Sequence, residues 1–81
     1  MIIYVGNIAS SVSDKNLKKL FEQYGLVTKI NFVTDPHTGK FKGFAFIEMP
    51  ANDEGHVAIE ALNGVDLEGS ILVVSQASSK Q

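Results

Sequence analysis

The sequence predicts an α+β domain in which two helices cover one face of a four-stranded antiparallel sheet. The chain has 81 residues, of which 44% are hydrophobic, so it has enough apolar residues for one core. β-branched and aromatic runs alternate with two segments of helical hydrophobic spacing, in the order β-α-β-β-α-β. The sequence contains no cysteine, so disulfides cannot stabilise a less regular fold.

The first strand and the first helix are each bounded by recognisable end signals. The β-rich run at 2–5 ends at Gly6 and Asn7, which are typical of a turn. Ser13 suits a helix N-cap, and Asp14 places negative charge at the positive end of the helix dipole. The helix is expected to stop at Gly25, and four apolar residues recur on one of its faces: Leu17, Leu20, Phe21 and Tyr24.

The second and third strands are predicted to form a hairpin. Residues 27–34 are β-rich, with Ile30 and Phe32 on one face. Residues 35–39 are dense in turn-forming side chains. Residues 43–49 form the third strand, and Pro50 prevents that strand from continuing within a sheet.

The second helix and the last strand complete the pattern. Small and apolar residues between 51 and 62 have helical spacing, which ends at Asn63 and Gly64, and 71–75 is a final β-rich segment. This order is the split βαβ, or ferredoxin-like, sandwich, with both helices on one face of the sheet. We expect one domain over residues 1–77 and a short polar tail at 78–81.

The charge distribution limits how the chain could hold a nucleic acid. The formal net charge is −2, whereas domains that bind nucleic acid mainly by bulk electrostatics are usually basic. Six of the seven lysines nevertheless fall within residues 1–42, so one half could face phosphates. The sequence contains no arginine, so lysines, amides or backbone groups must replace the bidentate guanidinium fork.

The first and third strands carry aromatic residues where polar ones are expected. The water-exposed face of an antiparallel sheet normally carries polar side chains. If Ile3 and Val5 pack on the helices, Tyr4 points outward, whereas the reverse phase would expose both aliphatic residues. We therefore favour the phase in which Tyr4 points outward, and in the third strand this phase exposes Phe44 and Phe46.

Lys42 shares this outward face in the predicted phase. An aromatic platform beside a cation suits unstacked bases on a charged backbone. For the third strand taken alone, nothing local forbids the reverse phase, which would bury Phe44 and Phe46 and expose Ala45 and Ile47.

Two segments of the predicted sheet resemble the RNA recognition motif family. Residues 3–8 are similar to the family's ribonucleoprotein hexamer at every position, and residues 42–49 to its octamer, with Met49 where an aromatic residue is usual. The bare length is most similar to that of the short single-domain RNA-binding proteins of bacteria and cyanobacteria. Three further segments match the family's habits, so the resemblance covers nearly the whole chain: 20–25, 35–40 and 58–64.

The resemblance implies a role for residues on the outward face. Tyr4 and Phe44 would each stack beneath a base, and Phe46 would pack against the sugars between them. Lys42 would pair with a phosphate. A hydrogen-bonding rim that reads base edges is implied for six further residues: Asn7, Lys29, Asn31, Ser75, Gln76 and Ala77.

Two positions depart from the family's pattern, and one further aromatic residue has two possible roles. Ser70 stands where the family often has an arginine, and Val73 puts an aliphatic group on the outer face of the last strand. Both departures imply modest affinity. Phe41, in the loop before the third strand, could wrap a nucleotide or fold onto the hairpin.

Two other classes of function compete with RNA binding. The first is a protein–protein interaction module that uses the same sheet face or the acidic side of the domain. An enzyme is disfavoured, because acylphosphatase-type chemistry needs an arginine and no nucleotide-binding or nucleophile motif is recognisable. His56 has no partner at metal-ligand spacing and His37 is typical of a turn, so we expect neither metal nor cofactor.

The sequence thus predicts a single-stranded RNA-binding protein of low to moderate sequence specificity that accepts single-stranded DNA less well. We expect a monomer in the cytoplasm that has no membrane partner, because no apolar run approaches the roughly 18 residues that cross a bilayer.

Overall fold

The computed structural model describes residues 1–77, and the predicted tail at 78–81 lies outside the described residues. Four strands form one antiparallel sheet in the order β2-β3-β1-β6, and two short strands form a separate hairpin. The elements in chain order are β1 (Ile2–Gly6), α1 (Asp14–Glu22), β2 (Lys29–Thr34), β3 (Phe41–Glu48), α2 (Asn52–Leu62), β4 (Asp66–Leu67), β5 (Ser70–Ile71) and β6 (Val73–Gln76). This arrangement confirms the predicted ferredoxin-like α+β fold.

The core lies between the sheet and the two helices. Leu17 and Phe21 of α1 and Ala58 of α2 are completely buried against the inward side chains of β1 and β3. Those inward residues are also 0% exposed: Ile3, Val5, Ala45 and Ile47. Both helices therefore cover the same face of the sheet, and the opposite face is left open.

The first helix begins where the sequence predicts but ends earlier. The Ser13 side chain accepts a hydrogen bond from the backbone N–H of Asn16 at 3.2 Å, so it is the N-cap. The helix ends at Glu22, three residues before the expected stop at Gly25. Within residues 1–77, neither helix has the length and apolar character needed to cross a membrane.

The last strand departs from the prediction, because a two-stranded hairpin precedes it. Leu67 pairs with Ser70 across a turn in which Glu68 and Gly69 have φ angles of 54° and 87°. The strand predicted at 71–75 is therefore wrong at its start, since Ile71 belongs to β5 and β6 begins at Val73. The Leu72 N–H donates to the carbonyl of Val65 at 2.9 Å instead of joining the main sheet.

Candidate nucleic-acid interface

Three aromatic rings lie side by side on the open face of the sheet. Tyr4 comes from the centre of β1, and Phe44 and Phe46 come from the neighbouring strand β3. Their intervening neighbours are fully buried on the helix side, which confirms the aromatic-outward phase that the sequence favours. The three residues form one surface, which we call the aromatic patch.

The rings of the aromatic patch contact one another. The Tyr4 ring centroid lies 5.8 Å from that of Phe44 and 6.0 Å from that of Phe46. The two phenylalanine rings are 6.1 Å apart and nearly perpendicular, with an interplanar angle of 88°. These separations fall in the range of favourable aromatic pairs, so each ring helps to hold the others. All three side chains remain only partly buried, and their free surface faces away from the core.

Strand register aligns part of the predicted rim with the patch. Asn31 of β2 lies opposite Phe46, which lies opposite Tyr4, which in turn lies opposite Ser75 of β6. These four residues form one row across the whole sheet on its open face. Lys29 is two residues before Asn31 and therefore points to the same side.

The other rim residues at the end of β6 are placed differently. Gln76 lies opposite the buried Ile3, so its side chain alternates toward the helix side of the sheet rather than the open face. The Ala77 N–H donates to the Ile2 carbonyl at 2.9 Å and is therefore used within the protein. The contacts predicted for Gln76 and Ala77 with RNA stay predictions.

Lys42 is exposed at the beginning of β3, two residues before Phe44. Between them, Gly43 has a φ of 91°, a conformation that glycine adopts readily. Its carbonyl accepts a hydrogen bond from the Ile8 N–H at 2.8 Å, which fixes the start of β3 against the segment that follows β1.

Asn7 has a structural contact that the sequence does not predict. Its backbone is left-handed, with a φ of 59°, which asparagine tolerates better than most residues. Its side-chain Nδ2 donates to the carbonyl of Ile71 at 2.8 Å, so the amide holds the β4–β5 hairpin beside β1. Its predicted contact with a base stays a prediction, with one donor already used.

Phe41 belongs to β3, so its predicted position in the preceding loop is wrong. Its ring stacks on Phe32 with 4.9 Å between the centroids, and both rings pack against the core. Of the two roles left open by the sequence, the structure shows the fold onto the hairpin.

Gly6 is a component of the site that the sequence analysis missed. A Cβ at this position would lie 2.8 Å from Cζ and 3.0 Å from Cε2 of Tyr4, so the tyrosine ring lies directly over the glycine. Period-two alternation could have revealed the pair, because residues 4 and 6 of a strand share a face. The direction in which the ring leans along the strand is not visible in the sequence.

Among residues 1–77, no group of three histidine and acidic side chains is arranged to hold a metal ion. No buried side-chain nitrogen or oxygen in the same range lacks a hydrogen-bond partner. The groups that the open face presents are aromatic rings, amides and lysines.

The fold and the aromatic patch together define a ferredoxin-like domain with the exposed sheet of an RNA-recognition module. Residues 3–73 match the family model described as the RNA recognition motif, and the chain belongs to this family.

Three proteins similar to this chain are each matched over more than four fifths of their own length. This chain is 41% identical over all 81 residues to the proposed RNA-binding protein RbpE of Nostoc sp., and the match covers 82% of that protein. The crystal structure of RNA Binding Protein PG1 superposes with a TM-score of 0.93 at 38% identity, covering 100% of this chain and 98% of that one. The structure of the Rna15 RRM with bound RNA (GU) gives a TM-score of 0.84 at 29% identity, covering 96% and 83%.

Proposed function

We propose that the protein binds single-stranded RNA by stacking bases on the aromatic patch, with low to moderate sequence specificity. Family membership and the RNA-bound Rna15 domain support RNA binding. One observation supports the stacking mechanism: the three rings of the aromatic patch contact one another on the open face of the sheet. That face of an antiparallel sheet normally carries polar side chains.

The energetics favour a short footprint and modest affinity. Each base stacked on an aromatic ring contributes roughly 1–3 kcal/mol, and Tyr4 and Phe44 each offer one such surface. These gains must offset the entropy of ordering a flexible strand. A micromolar Kd, equivalent to about −8 kcal/mol, is therefore the expected scale for this domain.

Low specificity follows from the kind of contact available. Every base has a π-face, so stacking tolerates any sequence. Discrimination must come from the rim, where Asn31 and Ser75 lie on either side of the patch, and the chain contains no arginine to form a bidentate contact with guanine. Single-stranded DNA offers the same bases without the 2′-hydroxyl, so we expect weaker binding.

The wider features of the proposed function follow the sequence expectations. We propose that residues 1–77 act as one RNA-binding domain that works as a cytoplasmic monomer and carries out no catalysis. Lys42 is proposed to pair with a phosphate, because it is exposed at the beginning of β3, the strand that carries Phe44 and Phe46.

Fluorescence anisotropy with a pool of short random single-stranded RNA tests the proposal. The Tyr4→Ala, Phe44→Ala double variant should bind at least about 25-fold more weakly, because two stacks of roughly 1 kcal/mol or more are removed. Its circular dichroism and melting temperature should remain close to those of the wild type, since both rings lie outside the core.

A matched control removes apolar side chains from the other side of the domain. Leu26 and Val57 are 61% and 54% exposed and lie away from the open sheet face, so Leu26→Ala, Val57→Ala should leave RNA affinity unchanged. Equal binding by the wild type and the folded patch variant would refute stacking on these rings. Absence of RNA binding by the wild type would favour a protein partner for the patch.

A further inference from the structure

A groove runs between the first helix and the free edge of the sheet. It lies between α1 and β2 and has a volume of about 290 Å³. Lys15 and Lys18 line it from the helix, and Lys29 lines it from the strand, with Asp14 as the one acidic residue among its lining side chains. We call this surface the basic groove.

The lysines of the basic groove are available for an anionic ligand. Lys18 lies 3.8 Å from Glu22, but both side chains are about half exposed, and such surface pairs contribute little. Glu48 lies opposite Lys29 in the strand register, yet its carboxylate accepts a hydrogen bond from Thr28 at 3.3 Å. In the part of the chain from 1 to 77, no ion pair joins Lys29 to an acidic residue.

The two edges of the sheet differ sharply in charge. The edge strand β2 lies beside α1, which contains three lysines and two acidic residues. The opposite edge strand, β6, packs against α2, which contains Asp53, Glu54 and Glu60 and no lysine. A polyanion that crosses the sheet is therefore attracted toward the β2 edge and repelled from the α2 side.

The basic groove is lined by β2, the strand next to the one that carries Phe44 and Phe46. β2 is separated from Tyr4 by the width of β3, so two strand spacings, about 10 Å, separate the ring from the edge of the sheet. An RNA strand that follows the row from Tyr4 through Phe46 to Asn31 reaches Lys29, which lies beside Asn31 on β2 and also lines the basic groove.

We propose that RNA extending beyond the aromatic patch passes over β2 and places its phosphodiester backbone in the basic groove. The inference rests on the proposed function and adds a second contact surface for the same strand. Within the described residues, no aromatic ring lines the groove, so the groove binds phosphates without stacking or reading bases.

The experiment compares a four-nucleotide RNA with the same RNA extended by four abasic ribose phosphates at its 5′ or 3′ end. The abasic extension supplies phosphates and no bases. In the wild type, the extension at one end should lower Kd about three- to fivefold, as a few exposed charge contacts predict. For that ligand, the salt dependence of binding should steepen by about 0.7 for each phosphate contacted.

Lys15→Gln should remove much of this gain while leaving the affinity for the four-nucleotide RNA unchanged. Lys19→Gln is the matched control, because Lys19 belongs to the same helix and carries the same charge but does not line the groove. The inference is overturned if the abasic extension adds no affinity at either end. It is also overturned if Lys15→Gln and Lys19→Gln lose the affinity gained from the extension to the same extent.

The measurements distinguish an RNA that does not contact the basic groove from an RNA that does not contact the aromatic patch. If the groove is not used, the four-nucleotide RNA still binds and still depends on Tyr4 and Phe44. If the patch is not used, Tyr4→Ala, Phe44→Ala leaves the four-nucleotide affinity unchanged, which overturns the proposed function and this inference with it.

Discussion

Replacement of Gly6 by alanine should weaken RNA binding by moving the Tyr4 ring, without destabilising the fold. Gly6 lies on the open face beneath Tyr4, and its missing side chain leaves room for the ring to lie against the sheet. A Cβ there would come closest to the tyrosine hydroxyl and would lie 2.8 Å from Cζ.

The size of the effect follows from this contact. Carbon atoms in favourable contact are about 3.5–4.0 Å apart, so the ring must retreat by roughly 1 Å or turn away from the sheet. Under the proposed function, a base stacked on Tyr4 would contribute roughly 1–3 kcal/mol, which corresponds to about 5- to 140-fold in Kd. The loss of affinity in Gly6→Ala should not exceed this limit, and we expect about 5- to 30-fold, from a loss of about 1–2 kcal/mol of that stacking energy.

The stability of the fold should stay the same or increase in Gly6→Ala, although RNA affinity falls. The φ angle of Gly6 is not positive, so alanine fits the backbone without strain. A compatible Gly→Ala change stabilises a protein by roughly 0.4–1 kcal/mol through the unfolded chain. The melting temperature of Gly6→Ala should therefore equal or exceed that of the wild type.

A double-mutant cycle is the decisive assay. Anisotropy titrations compare the wild type, Gly6→Ala, Tyr4→Ala and the double variant with the same short RNA. If Gly6 acts only by positioning the ring, Gly6→Ala has no further effect once Tyr4 is alanine. A full Gly6→Ala effect in the Tyr4→Ala background, or wild-type affinity in Gly6→Ala alone, would refute the reasoning.

Two further predictions concern stability. Leu17→Ala should lower the free energy of unfolding by roughly 2–5 kcal/mol in urea denaturation, because Leu17 is 0% exposed in the core. RNA affinity of the folded fraction should stay unchanged, and a loss below about 1 kcal/mol would contradict the packing. Ser13→Ala should cost about 0.5–2 kcal/mol through loss of the N-cap bond to Asn16, and Ser13→Asp should retain most of the stability. Equal stability of the alanine and aspartate variants would show that the cap contributes nothing.

The phase of the sheet was predictable because two strands had to agree. In β1, burying Tyr4 would have exposed both Ile3 and Val5, and strand pairing extends that choice to β3. In the structure, the same alternation puts Asn31 and Ser75, which the resemblance implied as rim residues, on the face of the aromatic rings. By the same rule Gln76, which lies opposite the buried Ile3, alternates to the helix side of the sheet.

Features that depend on short elements or on tertiary contacts were not predictable. The strands β4 and β5 have two residues each, which is too short for any periodic pattern. Both turn residues have positive φ, a conformation that Gly69 adopts readily but that is unusual for Glu68, so the sequence carries only half of the usual turn signal. The basic groove exists only because α1 packs beside an edge strand, and neither element predicts it alone.

The alternation within each strand separates stability from binding in this small domain. Tyr4 is flanked by two completely buried residues, so one strand supplies both a core surface and the proposed binding surface. Charge differs across the other direction of the sheet: the helix beside β2 contains three lysines and two acids, and the helix beside β6 contains three acids and no lysine. If the rings hold bases as proposed, phosphates respond to this asymmetry, and we expect a chain of net charge −2 to bind RNA in one preferred direction. The end at which an abasic extension raises affinity therefore reports that direction.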